Sequence, residues 1–310
     1  MRGSRALGAL AAGGIAALLA GCVAPSEPSS ASAAASRAPA PAPALAPTAA
    51  PPAKPVEPAV FAFSGEIEQG GWIKGVVPAG TRTLLFDGNE IAFGEHGAFF
   101  AAFDRDAGPS AVLAAKLADG RTVTRTLTVA PRAWQIERVN VARRKGGPTE
   151  AFMRIRRPEL ARIVAARAKR TGAEGWRQDF IWPVKGRISG RFGSQRIYRG
   201  EPGSYHGGTD ITTGASGTPF VAPADGVVIL AADHPFTLEG NLLMIDHGMG
   251  LNSAFLHCSD ILVREGERVT QGQVIGRIGS TGRATGPHLH WALKWNDARI
   301  DPILLTGPMD

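Results

Sequence analysis

The chain has 310 residues, which is enough for two modest domains and some unstructured sequence. Its formal charge of +7 suits an acidic polymer, but no basic and aromatic motif typical of nucleic-acid recognition is present, so we expect no nucleic-acid partner. Two cysteines, Cys22 and Cys258, are too few for a disulfide framework.

Residues 1–21 have the pattern of a secretory leader, in which two arginines precede an apolar run over residues 6–20. This run is shorter than the apolar segment that a membrane-spanning helix usually needs. It ends in Leu-Ala-Gly-Cys22, which resembles the lipobox of bacterial lipoproteins. The resemblance implies cleavage before Cys22 and acylation of this residue, and several acyl chains give stable membrane anchoring. Val23 in place of aspartate favours the outer membrane, with the protein facing the periplasm.

Residues 22–58 predict a tether between the lipid and the folded part of the chain. They consist almost entirely of alanine, proline and serine. Such a segment cannot bury enough apolar surface to offset the entropy of ordering, and its prolines keep it extended.

Residues 59–131 predict a small β-sandwich that serves as an accessory domain. Short apolar runs alternate with turn residues, and Asp87-Gly88 and Asp119-Gly120 are dipeptides typical of hairpins. His96 is the only histidine in this region, and a lone histidine is more typical of a surface or turn than of a ligand. The sequence therefore predicts no catalytic site here and names no ligand for the domain.

Residues 132–179 predict a helical connector. Pro158 can occupy the first turn of a helix, and apolar residues follow at helical spacing over residues 159–169. The basic residues at 143–145 could contact an acidic polymer or an anionic lipid, although a solvated charged face is the simpler interpretation.

The remaining chain, residues 180–310, contains the residues with catalytic potential. His206-Gly-Gly-Thr-Asp210 is followed much later by His288-Leu-His290. Two imidazoles and a carboxylate suit a tetrahedral zinc with an open fourth position, which is typical of catalytic rather than structural sites. On a strand, His288 and His290 would face the same side, so one can bind metal while the other works beside it.

An ordered set of motifs gives this region its resemblance to the lysostaphin-type (LytM-like) zinc endopeptidases of the bacterial cell wall. The motifs are Phe180-Ile-Trp-Pro-Val-Lys-Gly-Arg-Ile-Ser-Gly-Arg-Phe-Gly193, His206-Gly-Gly-Thr-Asp210, Val221-Ala-Pro-Ala-Asp-Gly-Val-Val228, Asn241-Leu-Leu-Met-Ile-Asp-His-Gly248, Phe255-Leu-His257, Gly266-Glu-Arg-Val-Thr-Gln-Gly-Gln-Val-Ile-Gly276 and Thr285-Gly-Pro-His-Leu-His290. The resemblance covers about residues 180–305. It implies a mainly β protein whose C-terminal domain is an antiparallel β peptidase.

The resemblance also implies roles for individual residues. His206, Asp210 and His290 are expected to hold one Zn²⁺ per chain, and His257 and His288 to be the two catalytic histidines that do not bind it. Histidine suits proton transfer near neutral pH, which agrees with this division. We favour His257 for proton handling and His288 for the oxyanion, although the sequence does not separate these roles.

Other residues near the motifs receive structural interpretations. His247 is expected to stabilise a turn, and His234 to be exposed. Phe255 stands where the family commonly has an aromatic hydroxyl, and Cys258 stands where an aliphatic residue is usual. Since neighbouring strand residues point to opposite faces, we expect Cys258 to be buried rather than to act as a nucleophile or a metal ligand.

A polar segment at residues 194–205 precedes the first expected ligand. We expect it to form a loop, and Tyr205 or Arg196 to line a substrate groove. The segment is also a candidate for occluding the site until a regulatory partner moves it.

The resulting hypothesis is a lipid-anchored zinc endopeptidase that hydrolyses peptide bonds in peptidoglycan stem peptides or cross-links. Some relatives have lost zinc ligands and act by activating other cell-wall hydrolases, so a binding module is the alternative. A third interpretation, a secreted protease acting on proteins, shares the same chemistry. The complete set of expected ligands favours an enzyme.

Overall fold

A computed structural model describes residues 59–143 and 146–309, which belong to one structural unit spanning Val56–Asp310. The predicted leader, Cys22 and the tether lie outside the described residues, as do Arg144 and Lys145. Within the described part, no helix is long and apolar enough to cross a membrane.

The N-terminal part consists of two antiparallel sheets, as the predicted sandwich requires. Its strands are β1 (Ala62–Glu66), β2 (Trp72–Val76), β3 (Thr81–Phe86), β4 (Asn89–Ile91), β5 (Ala98–Ala102), β6 (Ser110–Leu117) and β7 (Thr122–Thr128). One sheet has the order β1-β2-β5 and the other β4-β3-β6-β7. Asp87 and Gly88 both have positive φ and join β3 to β4, so the Asp-Gly dipeptide forms a hairpin turn.

The connector contains strand β8 (Ile136–Val139) and helix α1 (Glu150–Ala168). The prediction that Pro158 opens the helix is wrong, because the helix begins at Glu150 and Pro158 lies inside it. Thr149 caps the helix by accepting a hydrogen bond from the Phe152 N–H at 3.1 Å. An internal proline costs about 3 kcal/mol, which the buried contacts of α1 must offset.

The C-terminal part is built on a larger antiparallel sheet. Its elements are β9 (Arg187–Gly190), β10 (Gln195–Tyr198), β11 (Glu201–Tyr205), β12 (Thr209–Thr212), β13 (Pro219–Val221), β14 (Gly226–Ala231), β15 (Asn241–Gly248), β16 (Leu251–Cys258), β17 (Asp260–Ile261), β18 (Arg268–Val269), β19 (Val274–Arg277), β20 (Leu289–Trp295), β21 (Ala298–Ile300) and the short helix α2 (Ile303–Thr306). The main sheet has the order β18-β14-β15-β16-β20-β12-β9, with β21 beside β20, and a small sheet has the order β13-β19-β17. The fold class predicted from the sequence, mainly β with an antiparallel C-terminal domain, is confirmed.

Residues 194–205 form strands rather than the expected loop. Strands β10 and β11 make an antiparallel hairpin, and β8 from the connector adds to β10 in parallel. Arg199 and Gly200 both have positive φ at the tip of the hairpin. The polar composition of the segment concealed this hairpin, and the pairing of β10 with β8 is made by residues far away in the sequence.

Strands β15 and β16 are buried along almost their whole length, with apolar side chains packed on both faces. One core cluster joins Phe220, Ile275 and Phe255, and a second joins Ala166 of α1 to Ile229 and Met244. The first cluster also includes the N-terminal sheets, with Phe86 packed edge-on against Trp295 at 5.8 Å between ring centroids. The predicted domain limits at residues 131 and 180 therefore separate regions that share one core.

Candidate active site

The main sheet brings two of the expected metal ligands side by side. Asp210 on β12 pairs directly with His290 on the neighbouring strand β20. His206 lies just before β12, where its backbone N–H donates to Ser194 and its carbonyl accepts from Gly193. A side chain at Gly208 would approach the Trp291 carbonyl oxygen to 2.5 Å, so the short segment between His206 and β12 requires glycine there.

Three donor atoms of these residues converge on one point. Asp210 Oδ1 lies 3.0 Å from His206 Nε2 and 2.8 Å from His290 Nδ1, and the two nitrogens are 3.0 Å apart. These separations are close to the roughly 3.3 Å between ligands of a tetrahedral zinc with bonds of about 2.0–2.1 Å. Within the described residues, His206, Asp210 and His290 form a group whose prospective ligand atoms lie close enough together to hold a metal ion.

Neighbouring groups fix the protonation of His206 and Asp210 in the forms that bind a cation. His206 Nδ1 donates to the Arg191 carbonyl at 3.1 Å, so in the neutral ring Nε2 carries the lone pair. This lone pair faces Asp210 and His290, the other two prospective metal ligands. Burial alone would raise the pKa of Asp210, but the neighbouring imidazoles of His206 and His290 outweigh it and hold that pKa well below its usual range. The carboxylate is therefore ionised throughout the neutral pH range, and the donor set fits a divalent metal.

His257 and His288 lie beside this cluster with their ring centroids 4.9 Å apart. Their Nδ1 atoms donate to backbone carbonyls, His257 to Thr281 and His288 to Gly286, each at 2.8 Å. In the neutral rings Nε2 is therefore free to accept a proton, and His288 Nε2 lies 3.7 Å from Asp210 Oδ1. Burial lowers the pKa of His257, which keeps this histidine neutral and able to act as a base near pH 7.

A groove of about 790 Å³ runs past the cluster and includes His206 and Asp210 in its lining. The hairpin formed by β10 and β11 supplies one wall, and both Tyr205 and Arg196 line the groove, as expected from the sequence. The sequence did not single out Arg191, Arg283 or Glu137, which also line it. Arg191 lies in the first motif of the resemblance but received no role there, and no motif includes Arg283 or Glu137, because the groove is assembled from segments that are distant in the chain.

His247 has the structural role expected of it. The ring is fully buried, donates from Nδ1 to the Asp225 carbonyl at 2.8 Å and accepts at Nε2 from Ser253 Oγ at 2.8 Å. The same hydroxyl accepts from the Trp291 indole at 3.2 Å. This chain of hydrogen bonds supports β20 directly behind His290. His234, by contrast, has an exposed side chain, as expected.

Burial lowers the pKa of His247 from 6.5 to about 4, which makes stability depend on pH. Between these values the unfolded chain binds a proton at this residue that the folded chain does not, so stability should fall as pH drops from 6.5 towards 4. The contribution is about 3 kcal/mol at most. Urea unfolding at several pH values should show this loss in the unaltered protein and a smaller loss in His247→Gln. Equal pH dependence of stability in the two proteins would contradict a contribution from His247.

Cys258 is completely buried, and its thiol donates to the Phe255 carbonyl at 3.6 Å. Burial raises its pKa to about 12, so the thiolate needed for nucleophilic attack or metal binding is absent near pH 7. In a Cys22→Ser background, we expect the folded protein to react with iodoacetamide at least about 100-fold more slowly than the urea-unfolded protein. Similar rates in the two states would show that the thiol is accessible.

Comparison with known proteins agrees with the geometry. Residues 204–302 match the family described as peptidase family M23. This part of the chain is therefore a peptidase M23 domain, which confirms the predicted resemblance. The structure is similar to a crystal structure from Pseudomonas aeruginosa assigned to peptidase M23, with a TM-score of 0.60 and 27% identity, over 78% of this chain and 96% of that one.

Two curated relatives carry names that describe their activity. The peptidoglycan DD-endopeptidase ShyA of Vibrio cholerae is 43% identical over 134 residues, which make up 41% of this chain and 30% of ShyA. The DD-carboxypeptidase/endopeptidase Mpg of Neisseria meningitidis is 38% identical over 126 residues, or 39% of this chain and 27% of Mpg. The chain thus matches less than a third of the length of either relative.

Proposed function

We propose that the protein is a zinc-dependent endopeptidase that hydrolyses peptide bonds in peptidoglycan stem peptides or cross-links. The proposal rests mainly on the convergence of His206, Asp210 and His290 beside two further histidines, with His206 and Asp210 lining a groove. The M23 match and the activities for which the relatives are named support the same reaction class.

In this proposal His206, Asp210 and His290 would hold the zinc, which would supply Lewis-acid activation of water and of the scissile carbonyl. His257 accepts the proton of the attacking water, since its Nε2 is free and burial lowers its pKa. With a proton on Nε2, His288 would donate a hydrogen bond to the oxygen that develops charge and could then give that proton to the leaving amine, and the proton that His257 takes from water would balance this loss. Their Nδ1 hydrogen bonds to Thr281 and Gly286 hold both rings in the orientation these steps require.

The charge of the groove supports an acidic peptide as substrate. Arg191 and Arg283 are exposed and line the groove, and neither makes an ion pair within the part of the chain that the structure describes. Arg196 differs, because Glu137 pairs with it at 2.6 Å. Free guanidinium groups bind carboxylates well, and peptidoglycan stem peptides carry free carboxylates.

Replacement of Arg283 by glutamine should therefore raise KM while leaving kcat unchanged. An exposed charge pair contributes about 1 kcal/mol, so we expect roughly a fivefold increase in KM that shrinks at high salt. Arg187→Gln is a matched control, since Arg187 is exposed but does not line this groove. An unchanged KM for Arg283→Gln with an acidic muropeptide would argue against carboxylate binding at this residue.

Membrane attachment at Cys22, through the tether at residues 22–58, belongs to the proposal and rests on the sequence alone. Anchoring in the outer membrane would hold the catalytic domain in the periplasm within reach of the cell wall. Mass spectrometry of the mature N-terminus tests this part. A Cys22 without acyl chains, or cleavage of the chain at a position other than the one before Cys22, would exclude the lipid anchor.

The reaction is tested by muropeptide release from purified sacculi, with His290→Ala and a chelated sample run in parallel. Release of peptide-bond cleavage products by the unaltered protein alone would establish the enzyme and identify its bond. No release despite bound zinc would favour regulation by a partner or a different substrate, such as a protein. No release and no zinc would favour the alternative function, a binding module that activates other hydrolases.

A further inference from the structure

His257 occupies a backbone conformation that needs external support. Its φ of +65° lies in the left-handed region, which a non-glycine residue adopts at a cost unless its surroundings fix it. A register shift between β15 and β16 at this point places the residue in a bulge, a feature common beside active sites. Two hydrogen bonds fix it, from its backbone N–H to the Glu239 carbonyl and from Nδ1 to the Thr281 carbonyl, each at 2.8 Å.

The two carbonyl groups belong to two loops that are packed tightly together. Residues 236–240 form the tip of the connection between β14 and β15, and residues 281–283 lie in the loop before β20. A side chain at Gly240 would come within 2.2 Å of Thr281 Oγ1, and one at Gly282 within 2.3 Å of the Gly240 nitrogen. The Arg283 N–H also donates to the Leu238 carbonyl at 3.0 Å. Movement of the first loop must therefore move both supports of His257.

Helix α1 holds the first loop through buried charges. Both guanidinium NH2 groups of Arg156 donate to the Glu239 carboxylate at 2.6 Å, and one also donates to Glu159 at 2.9 Å. Glu159 in turn accepts from the backbone N–H of Thr237 at 2.7 Å and from its hydroxyl at 2.6 Å. Arg156 is only 7% exposed and Glu159 only 5%, so these bonds are shielded from water.

We propose that Arg156 is a positioning residue for catalysis, which acts through Glu239 and the paired loops to hold His257 in its left-handed, hydrogen-bonded conformation. The connector helix thereby becomes part of the peptidase, although it lies outside residues 204–302. This inference rests on the proposed function only in that it assumes a catalytic role for His257. The geometry of the support itself does not depend on that role.

The exposed ion pairs of the same helix serve as internal comparison. Arg157 pairs with Glu150 at 2.7 Å on the solvent side, where the two side chains are 57% and 69% exposed. It is adjacent to Arg156 in the chain and has the same charge, but no contact in the described structure links it to the loop at residues 236–240. An effect of Arg156 on general helix stability or net charge should therefore appear in Arg157→Gln as well.

The test compares Arg156→Gln, Glu239→Gln and Arg157→Gln in the full-length protein. With a soluble muropeptide, we expect the first two variants to lose up to about 100-fold in kcat with little change in KM or bound zinc, and Arg157→Gln to match the unaltered protein. Arg156→Lys, which can keep one contact to Glu239, should recover part of the loss. If Arg156→Gln does not fold, the comparison of kcat and bound zinc is made with Glu239→Gln, which preserves the side-chain shape.

A second measurement does not depend on activity. The Nδ1–H proton of His257, assigned by its absence in His257→Gln, should give a low-field NMR signal that is lost or shifted in Arg156→Gln and Glu239→Gln. An unchanged signal together with unchanged kcat would overturn the inference, as would parallel loss of zinc and stability. Absence of cleavage by the unaltered protein would count against the proposed function, whereas the NMR comparison would still decide whether Arg156 positions His257.

Discussion

Replacement of His290 by alanine should abolish stoichiometric zinc binding and peptide-bond cleavage together. His290 Nδ1 lies 2.8 Å from Asp210 Oδ1 and 3.0 Å from His206 Nε2, so its loss leaves two of the three converging donors. Loss of a group that merely supports a ligand typically costs about 10–100-fold in metal affinity or activity. Removal of the ligand itself should cost more than this, and the zinc content of the purified protein should fall from one per chain towards zero.

His234→Ala is the matched control for this experiment. His234 is an exposed histidine with 62% of its side-chain surface accessible, and its ion-pair partner is the exposed Asp233. Its replacement should leave zinc content, measured by atomic absorption after dialysis, at the value of the unaltered protein. Stoichiometric zinc in His290→Ala would contradict the ligand assignment, and equal losses in both variants would point to a change in folding.

The candidate site could be located from the sequence because its residues lie in short motifs with fixed strand geometry. Asp210 and His290 sit on neighbouring strands, so their pairing follows once those strands form. His288 immediately precedes the strand of His290. Cys258 is buried as predicted, although the strand alternation behind that prediction is interrupted at His257, whose φ is +65°. The fold class and the M23 resemblance were confirmed for the same reason, since both depend on patterns that are local in the chain.

The errors and omissions arise partly where contacts join distant parts of the chain and partly where a local signal was missed. Residues 194–205 were interpreted as a polar loop, but β10 and β11 pair with each other as a hairpin, and β8 from the connector adds to β10. Pro158 was interpreted as a helix start, but Thr149 caps the helix earlier, and buried pairs such as Arg156 with Glu239 hold the helix against the loop between β14 and β15. The local sequence could not predict these pairs. Charged residues such as Arg156 and Glu159 are rarely buried without partners, and their partners Glu239 and Thr237 lie far away in the chain.

Removal of the His257 side chain should separate catalysis from metal binding. In His257→Ala we expect kcat to fall by about 10²–10⁴-fold, the usual contribution of general acid–base catalysis. Zinc should remain bound at one per chain, because His257 Nδ1 is engaged by the Thr281 carbonyl and the residue lies outside the three-donor cluster. His288→Ala should also retain zinc and should lose about 10²–10³-fold, the cost of removing one oxyanion donor.

The pH dependence of kcat/KM distinguishes the two histidines. A base must be neutral to accept a proton, and burial lowers the pKa of His257 below its ordinary value of 6.5, so activity should decline only as pH falls below about 6.5. This acidic decline should disappear in His257→Ala and persist in His288→Ala if His257 accepts the proton. Disappearance of the decline in His288→Ala alone would exchange the two roles. Loss of zinc from either variant would instead place that histidine among the ligands.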